Sequence, residues 1–148
     1  MVKKKIAIYT GSRADYEILK PLILALYKFY KIYLFVGPHH YEKKFGNTIN
    51  IIKKDKIKVY YKCSTTINYD NVDVSKFVSN SVYNYKKKLD IIKPDLVIIL
   101  GDRYEVLSFV IASFFLNLKI AHLNGGDITY GSFDDTIRHM ISKMSDYH

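Results

Sequence analysis

Three short stretches of this chain hold residues whose types and spacing suit chemistry, and each follows an apolar run. The first is Thr10-Gly11-Ser12-Arg13-Ala14-Asp15-Tyr16. A glycine between strand and helix lets the backbone approach a phosphate, and Arg13 brings a fork of donors; a tight turn with an exposed arginine reads equally well. One glycine is too few for a dinucleotide fingerprint or a P-loop. The second stretch is Leu100-Gly101-Asp102-Arg103-Tyr104-Glu105. A carboxylate just past a buried strand is partly desolvated and suits a general acid or base, while Asp102 would serve equally as the cap of a following helix. The third runs from His122-Leu123-Asn124-Gly125-Gly126-Asp127-Ile128-Thr129 to Asp134-Asp135-Thr136-Ile137-Arg138-His139. Gly125 and Gly126 permit close approach to a ligand. Asp134 and Arg138, four apart, share a helix face, where acidic residues at a helix start also complement the helix dipole. His122 and His139 lack the spacing and partner ligands of a metal site, so none is expected.

These stretches contain all three arginines of a chain whose other basic residues are 20 lysines. Arginine used that sparingly marks positions where a planar, bidentate donor is needed. The net charge of +9 comes from lysines scattered singly or in short runs such as Lys86-Lys87-Lys88. That pattern reads as a solvated surface and not as a nucleic-acid footprint.

The elements that must position these residues alternate between strand and helix. Lys5 to Thr10 reads as a strand ending at Gly11. A helix over about 14–30 follows from the spacing of Leu19, Leu22, Ile23, Leu26 and Tyr30, with Pro21 either in its first turn near Lys20 or at a kink. Ile32 to Val36 is a second strand closed by Gly37-Pro38, and a weaker helix–strand pair covers about 45–61. Cys63 to Asp73 reads as a loop. Ser75 then caps a helix with the stripe Val78, Val82, Tyr85, Leu89 and Ile92. Leu96 to Leu100 is five apolar residues without alternation, the mark of a central parallel strand buried on both faces. A helix with Leu107, Val110, Ile111, Phe114 and Leu118 inward, a strand over 119–123 and a helix from Asp134 or Asp135 with Ile137, Ile141 and Met144 inward complete the series. The expected fold is a single α/β domain over 1–148, an open doubly wound parallel sheet. In such sheets ligands bind beyond the carboxyl ends of the strands, where all three stretches would lie.

With 49% hydrophobic and 25% charged residues, the chain is an ordinary globular domain and not a disordered tail. No apolar run approaches a membrane span, and the N-terminal one is too short for a secretory signal, so a cytoplasmic protein is expected. A single cysteine, Cys63, leaves no disulfide framework. The last residues follow a helix at a point where the alternation calls for a further strand, as though the chain were cut off there.

Taken together, the motifs quoted above resemble those of the UDP-N-acetylglucosamine 2-epimerases, in order along essentially the whole chain. The similarity leans toward the hydrolysing branch, which forms N-acetylmannosamine for sialic and related nonulosonic acids. It implies a Rossmann-like N-terminal half of a glycosyltransferase-B type enzyme, with a cleft completed by a second half outside this chain. It also implies a nucleotide-sugar substrate, no metal or other cofactor, and a homo-oligomer when full length. By position, the resemblance gives catalytic parts to Asp102, Asp134 and Arg138, and places Arg13 near the nucleotide. Asn124 stands where many relatives carry a catalytic glutamate, and Asp127 is the acid to take its place. Gly11, Ser12, Arg103, Asn124, Gly125 and Gly126 complete the expected substrate contacts. A nucleotide-sugar-binding module without turnover, a non-hydrolysing epimerase fragment and a glycosyltransferase of the same architecture are the alternatives.

Overall fold

A computed structural model describes residues 3–63 and 73–148. Among them, strands β1 (Lys5–Thr10), β2 (Lys31–Val36), β3 (Val59–Lys62), β4 (Leu96–Leu100) and β5 (Ile120–Leu123) form one sheet in the order β3-β2-β1-β4-β5. Every neighbouring pair is parallel. Helices α1 (Arg13–Leu26), α2 (Ile49–Lys54), α3 (Val74–Ile92), α4 (Tyr104–Phe115) and α5 (Phe133–Met144) connect and cover it. This is the open doubly wound, Rossmann-like arrangement, and its strand order reverses between β1 and β4. At such a reversal the connections leave to opposite faces and open a crevice at the carboxyl ends of the strands.

Two apolar layers hold the sheet, and β4 contributes to both. Val97 and Ile99 pack into the layer that contains Tyr85, Leu89, Phe109 and Ile141. Ile98 and Leu100 pack into the other, with Leu19, Ile23, Leu34 and Ile52. The uninterrupted apolar run is therefore explained by burial on both faces, each such side chain contributing about 1.5–3 kcal/mol.

Several boundaries differ from the sequence reading. Helix α1 starts at Arg13, in line with the expected start near 14 and not near Lys20, but stops at Leu26, short of Tyr30. Its start is set by a capping box, in which Ser12 and Asp15 satisfy each other's backbone N–H groups. Pro21 sits inside the helix on its exposed side, where the missing N–H is outweighed by the burial of Tyr16, Leu19 and Ile23. The region over 45–61 resolves into a 3₁₀ turn at Lys43–Phe45, then α2 and β3. Helix α3 is capped by Asp73, which accepts from Lys76 N at 2.9 Å, and not by Ser75. Most of the expected loop, 64–72, lies outside the described residues. Helix α4 buries Val106, Phe109, Val110 and Ala112, while Phe114 is 48% exposed. Its inward face is thus rotated from the expected stripe, because α4 packs on both α3 and α5. Helix α5 starts at Phe133, and beyond it Tyr147 bridges Ala121 in parallel. Among the described residues no helix is long and apolar enough to cross a membrane.

Candidate functional site

The loops after β1, β2, β4 and β5 meet at one end of the sheet. In the first, the Asp15 carboxylate accepts from Ser12 N at 2.8 Å and Gly11 N at 3.2 Å. The N–H groups of Gly11 and Ser12 are thus already paired with the protein's own anion. Burial pushes the Asp15 carboxyl up, more than these hydrogen bonds lower it. Arg13 points away along the helix to Glu17, 2.7 Å, with both side chains more than half exposed. The β2 loop packs tightly here: a Cβ on Gly37 would lie 2.6 Å from Tyr9 Oη and 3.1 Å from Gly11 Cα. His40, fully buried, is bonded to Thr10 Oγ1 at 3.1 Å and Thr48 Oγ1 at 2.9 Å. Burial, with His39 beside it, lowers His40 to about 4.

From the turn after β4, two ion pairs diverge. Arg103 is the residue before α4 and reaches toward β2. Its Nε and Nη2 donate to the Glu105 carboxylate at 3.4 and 3.2 Å. His39 Nε2 donates to the same carboxylate at 2.7 Å. Glu105 is 1% exposed and His39 6%. Burial alone would raise the Glu105 carboxyl, but His39 and Arg103 outweigh it and hold it below the usual range.

Asp102 takes the other direction. It does not cap α4, since Arg103 occupies that position without a side-chain bond. Its Oδ2 instead accepts from Arg138 on α5, from Nε at 2.9 Å and also from Nη2. Arg138 Nη1 donates to the Asp127 carbonyl at 2.8 Å and to Thr129 Oγ1 at 2.9 Å. The paired carboxylate holds the Arg138 guanidinium above its ordinary value. One arginine therefore gathers the β4 turn, the β5 loop and α5. Asp135, which accepts from Thr129 N at 2.7 Å, lies 3.7 Å from Arg138.

His122 anchors the same loops from beneath. Its Nε2 donates to the Gly101 carbonyl at 2.8 Å, so Nδ1 is left to accept from Ser142 Oγ at 3.0 Å. Ser142 Oγ in turn accepts from Gly126 N at 3.0 Å. Burial lowers the His122 pKa and favours this neutral tautomer. Gly125 lies against the ring, where a Cβ would meet Nδ1 at 2.8 Å. Asn124 adopts a left-handed conformation, φ 60°, which asparagine tolerates better than glutamate would.

The structure thus unites Asp102, Arg138, Gly126 and the backbone of Asp127, and sets Arg103 beside them. The Asp127 side chain is exposed and meets Arg138 through its carbonyl only. The expected Asp134–Arg138 partnership is replaced by Asp135. Asp134 is exposed, because Arg138 is drawn inward to Asp102 and so toward the Asp135 side of the helix. Sequence reasoning missed Glu105, His39, Ser142 and the anchoring part of His122. A signal existed for Glu105, an acid on the buried side of an otherwise apolar helix; none existed for His39 and Ser142, which depend on long-range packing. Among the described residues no group of three or more His, Cys, Asp or Glu is placed to share a metal ion.

Residues 26–148 match the family described as UDP-N-acetylglucosamine 2-epimerase. A Campylobacter jejuni protein named GDP/UDP-N,N′-diacetylbacillosamine 2-epimerase (hydrolyzing) is 34% identical over 151 residues, covering 100% of this chain and 39% of that protein. The Escherichia coli polysialic acid biosynthesis protein P7 is 34% identical over 159 residues, covering 98% of this chain and 38% of its own length. The crystal structure of the Neisseria meningitidis UDP-GlcNAc 2-epimerase bound to UDP-GlcNAc superposes with a TM-score of 0.85 at 21% identity, over 97% of this chain and 39% of that one. The chain therefore spans about two fifths of the length of these relatives, and shares its fold with one Rossmann-like half of the solved enzymes.

Proposed function

Because the chain belongs to the UDP-N-acetylglucosamine 2-epimerase family, we propose that it supplies the N-terminal wall of the cleft in a hydrolysing UDP-N-acetylglucosamine 2-epimerase. In this reading a carboxylate removes the proton from sugar C2, and the electron pair forms the C1=C2 bond. The C1–O bond to UDP breaks, leaving 2-acetamidoglucal. Water then adds across the double bond, with the proton delivered to the opposite face of C2, and N-acetylmannosamine leaves with UDP as the other product. Such a product suits sialic or nonulosonic acid synthesis in the cytoplasm.

The observation that carries the reading is the meeting of Asp102 and Arg138 at the carboxyl end of β4. Elimination needs a carboxylate beside the sugar and fixed donors around it, and Arg138 holds the Asp102 carboxylate in one orientation. Asp102 is assigned to proton transfer and Arg138 to positioning it and to charge stabilisation. Asp127 and Asp134 are the further acids, both exposed. Gly11, Ser12, Arg13, Arg103, Asn124, Gly125 and Gly126 are assigned to the substrate-facing rim, where Arg13 would have to turn from Glu17 to reach a ligand. The name of the Campylobacter relative, a diacetylbacillosamine 2-epimerase, favours a second reading in which the sugar carries two acetamido groups.

The test is to supply the complete protein with UDP-N-acetylglucosamine or UDP-N,N′-diacetylbacillosamine in deuterated water. The expected outcome is UDP plus a free 2-epimerised sugar with deuterium at C2, from one substrate in clear preference. Accumulation of a 2-epimerised sugar nucleotide would overturn hydrolysis, and release of unepimerised sugar without deuterium would overturn elimination. Residues 1–148 alone are expected to give no steady turnover.

A further inference from the structure

The Glu105 carboxylate on the β2 side of the crevice has no part in the chemistry above, yet it is among the most buried charged groups described. Glu105 is 1% exposed, while the Arg103 side chain that it holds is 42% exposed. Arg103 spends its Nε on Glu105, its Nη2 lies between Glu105 Oε1 at 3.2 Å and His39 Nε2 at 3.0 Å, and among the described residues Nη1 has no hydrogen-bond partner. The Asp15 carboxylate, across the reversal between β1 and β4, also acts on its charge. The Arg103 guanidinium is therefore fixed at the ligand-binding edge of the sheet with its charge already matched.

We propose that Glu105, backed by His39, is a positioning residue that makes Arg103 a hydrogen-bond donor for a neutral acceptor of the sugar, a hydroxyl or an acetamido carbonyl, and not a diphosphate anchor. The inference rests on the sugar-nucleotide reading above and adds a specificity element to it. A diphosphate at Nη1 would bring negative charge toward both Glu105 and Asp15, whereas a neutral acceptor meets no such repulsion. A guanidinium held along one edge has also lost its rotamer freedom before the ligand arrives, so it donates at low entropic cost. Arg13 is the contrasting case. Its only ion-pair partner among the described residues is Glu17, 54% exposed, so water screens that pair and leaves Arg13 the better cation for the diphosphate.

The experiment compares Glu105→Gln, Arg103→Ala and the double variant in the complete protein. Glu105→Gln is expected to raise KM for the sugar nucleotide roughly tenfold, the scale of one hydrogen bond to a charged group, with kcat within about threefold. The same variant is expected to bind UDP about threefold more tightly by calorimetry, the scale of one partly exposed charge uncovered. Both effects should vanish in the Arg103→Ala background. UDP affinity that is unchanged or weaker in Glu105→Gln overturns the inference, whether or not any sugar nucleotide is turned over. So does a Glu105→Gln effect that persists without Arg103, which is what a purely structural role would give. If Glu105→Gln does not fold, His39→Gln replaces it with the same two readouts. Absence of turnover in the wild type would instead count against the proposed function, and the UDP titration still decides this inference.

Discussion

Two ion pairs leave the same turn after β4, one residue apart, and they are built differently. Arg103 and Glu105 lie two apart in the chain and close over His39, with the carboxylate side chain 2% exposed. Asp102 and Arg138 lie 36 apart, with side chains 20% and 14% exposed. The first belongs to the scaffold: it is half sunk in the core and ties β4 to the β2 loop. The second is a partly buried clamp at the edge of the crevice, whose parts come from three segments. The contrast lies in the carboxylates: Glu105 is sunk in the core, where a charge left unpaired is expensive, while Asp102 keeps an edge toward the crevice.

Removing one partner from each pair is the most direct way to break this comparison. Glu105→Ala leaves His39 and part of Arg103 uncompensated inside the protein, and it is expected to cost about 3 kcal/mol, the lower end for a buried pair because Arg103 still reaches water. Asp102→Ala should cost about 1 kcal/mol, since Arg138 keeps Asp127, Thr129 and solvent. Urea unfolding of both variants measures the difference. Equal losses would mean that the two pairs are one network.

An acid titration sharpens the scaffold side of the comparison. His40 is held neutral in the fold, at about 4 against 6.5 when unfolded. The unfolded chain therefore binds the extra proton first. This contribution is fully present above pH 6.5 and is lost as the pH falls toward 4, by on the order of 3 kcal/mol in all. Carboxylates titrate in the same window, so the quantity to measure is the difference between wild type and His40→Gln. That difference should shrink steadily from pH 7 to pH 4. A constant difference would mean that His40 is not held neutral.

On the crevice side the expected change is in rate more than in stability. Asp102→Asn preserves shape and one acceptor for Arg138, so unfolding should shift by no more than about 1 kcal/mol. In the complete enzyme kcat should fall roughly a hundredfold or more, the scale of a lost acid–base group. Near-normal turnover would return Asp102 to a clamp for Arg138 alone.

The same two regions show what the sequence made legible. Strand β4 was readable because five apolar residues without alternation admit few other fates, and the sheet order then puts the turn after it beside β1. Asp102 was readable as a site candidate from its place after that strand. Its partner was not, because helical spacing pairs Arg138 with Asp134 and says nothing of a carboxylate 36 residues away. The Pro21 ambiguity was of another kind: local propensity argues against a proline within the helix, and burial of Tyr16, Leu19 and Ile23 overrides it. His39 was invisible for the reason that makes it informative, since only the packing of the β2 loop against α4 brings it to Glu105.

The smallest effect decides between two adjacent acids. Asp135 accepts from Thr129 N and sits within ion-pair distance of Arg138 and His139. Asn at that position keeps the acceptor and loses the charge, so Asp135→Asn should cost about 0.5 kcal/mol. Asp134 is exposed in the first turn of α5, and among the described residues nothing bonds its carboxylate. Asp134→Asn should therefore change folding stability by less than about 0.5 kcal/mol, as benign surface substitutions do. Their activities should separate in the opposite order. If Asp134 transfers a proton to or from the sugar, its variant folds like wild type and loses exchange of the C2 proton with deuterated solvent, while Asp135→Asn keeps most of it. If instead Asp135→Asn loses exchange and Asp134→Asn retains it, the acid that matters is the one beside Arg138, and the clamp itself would carry the proton transfer that position along the helix assigns to its neighbour.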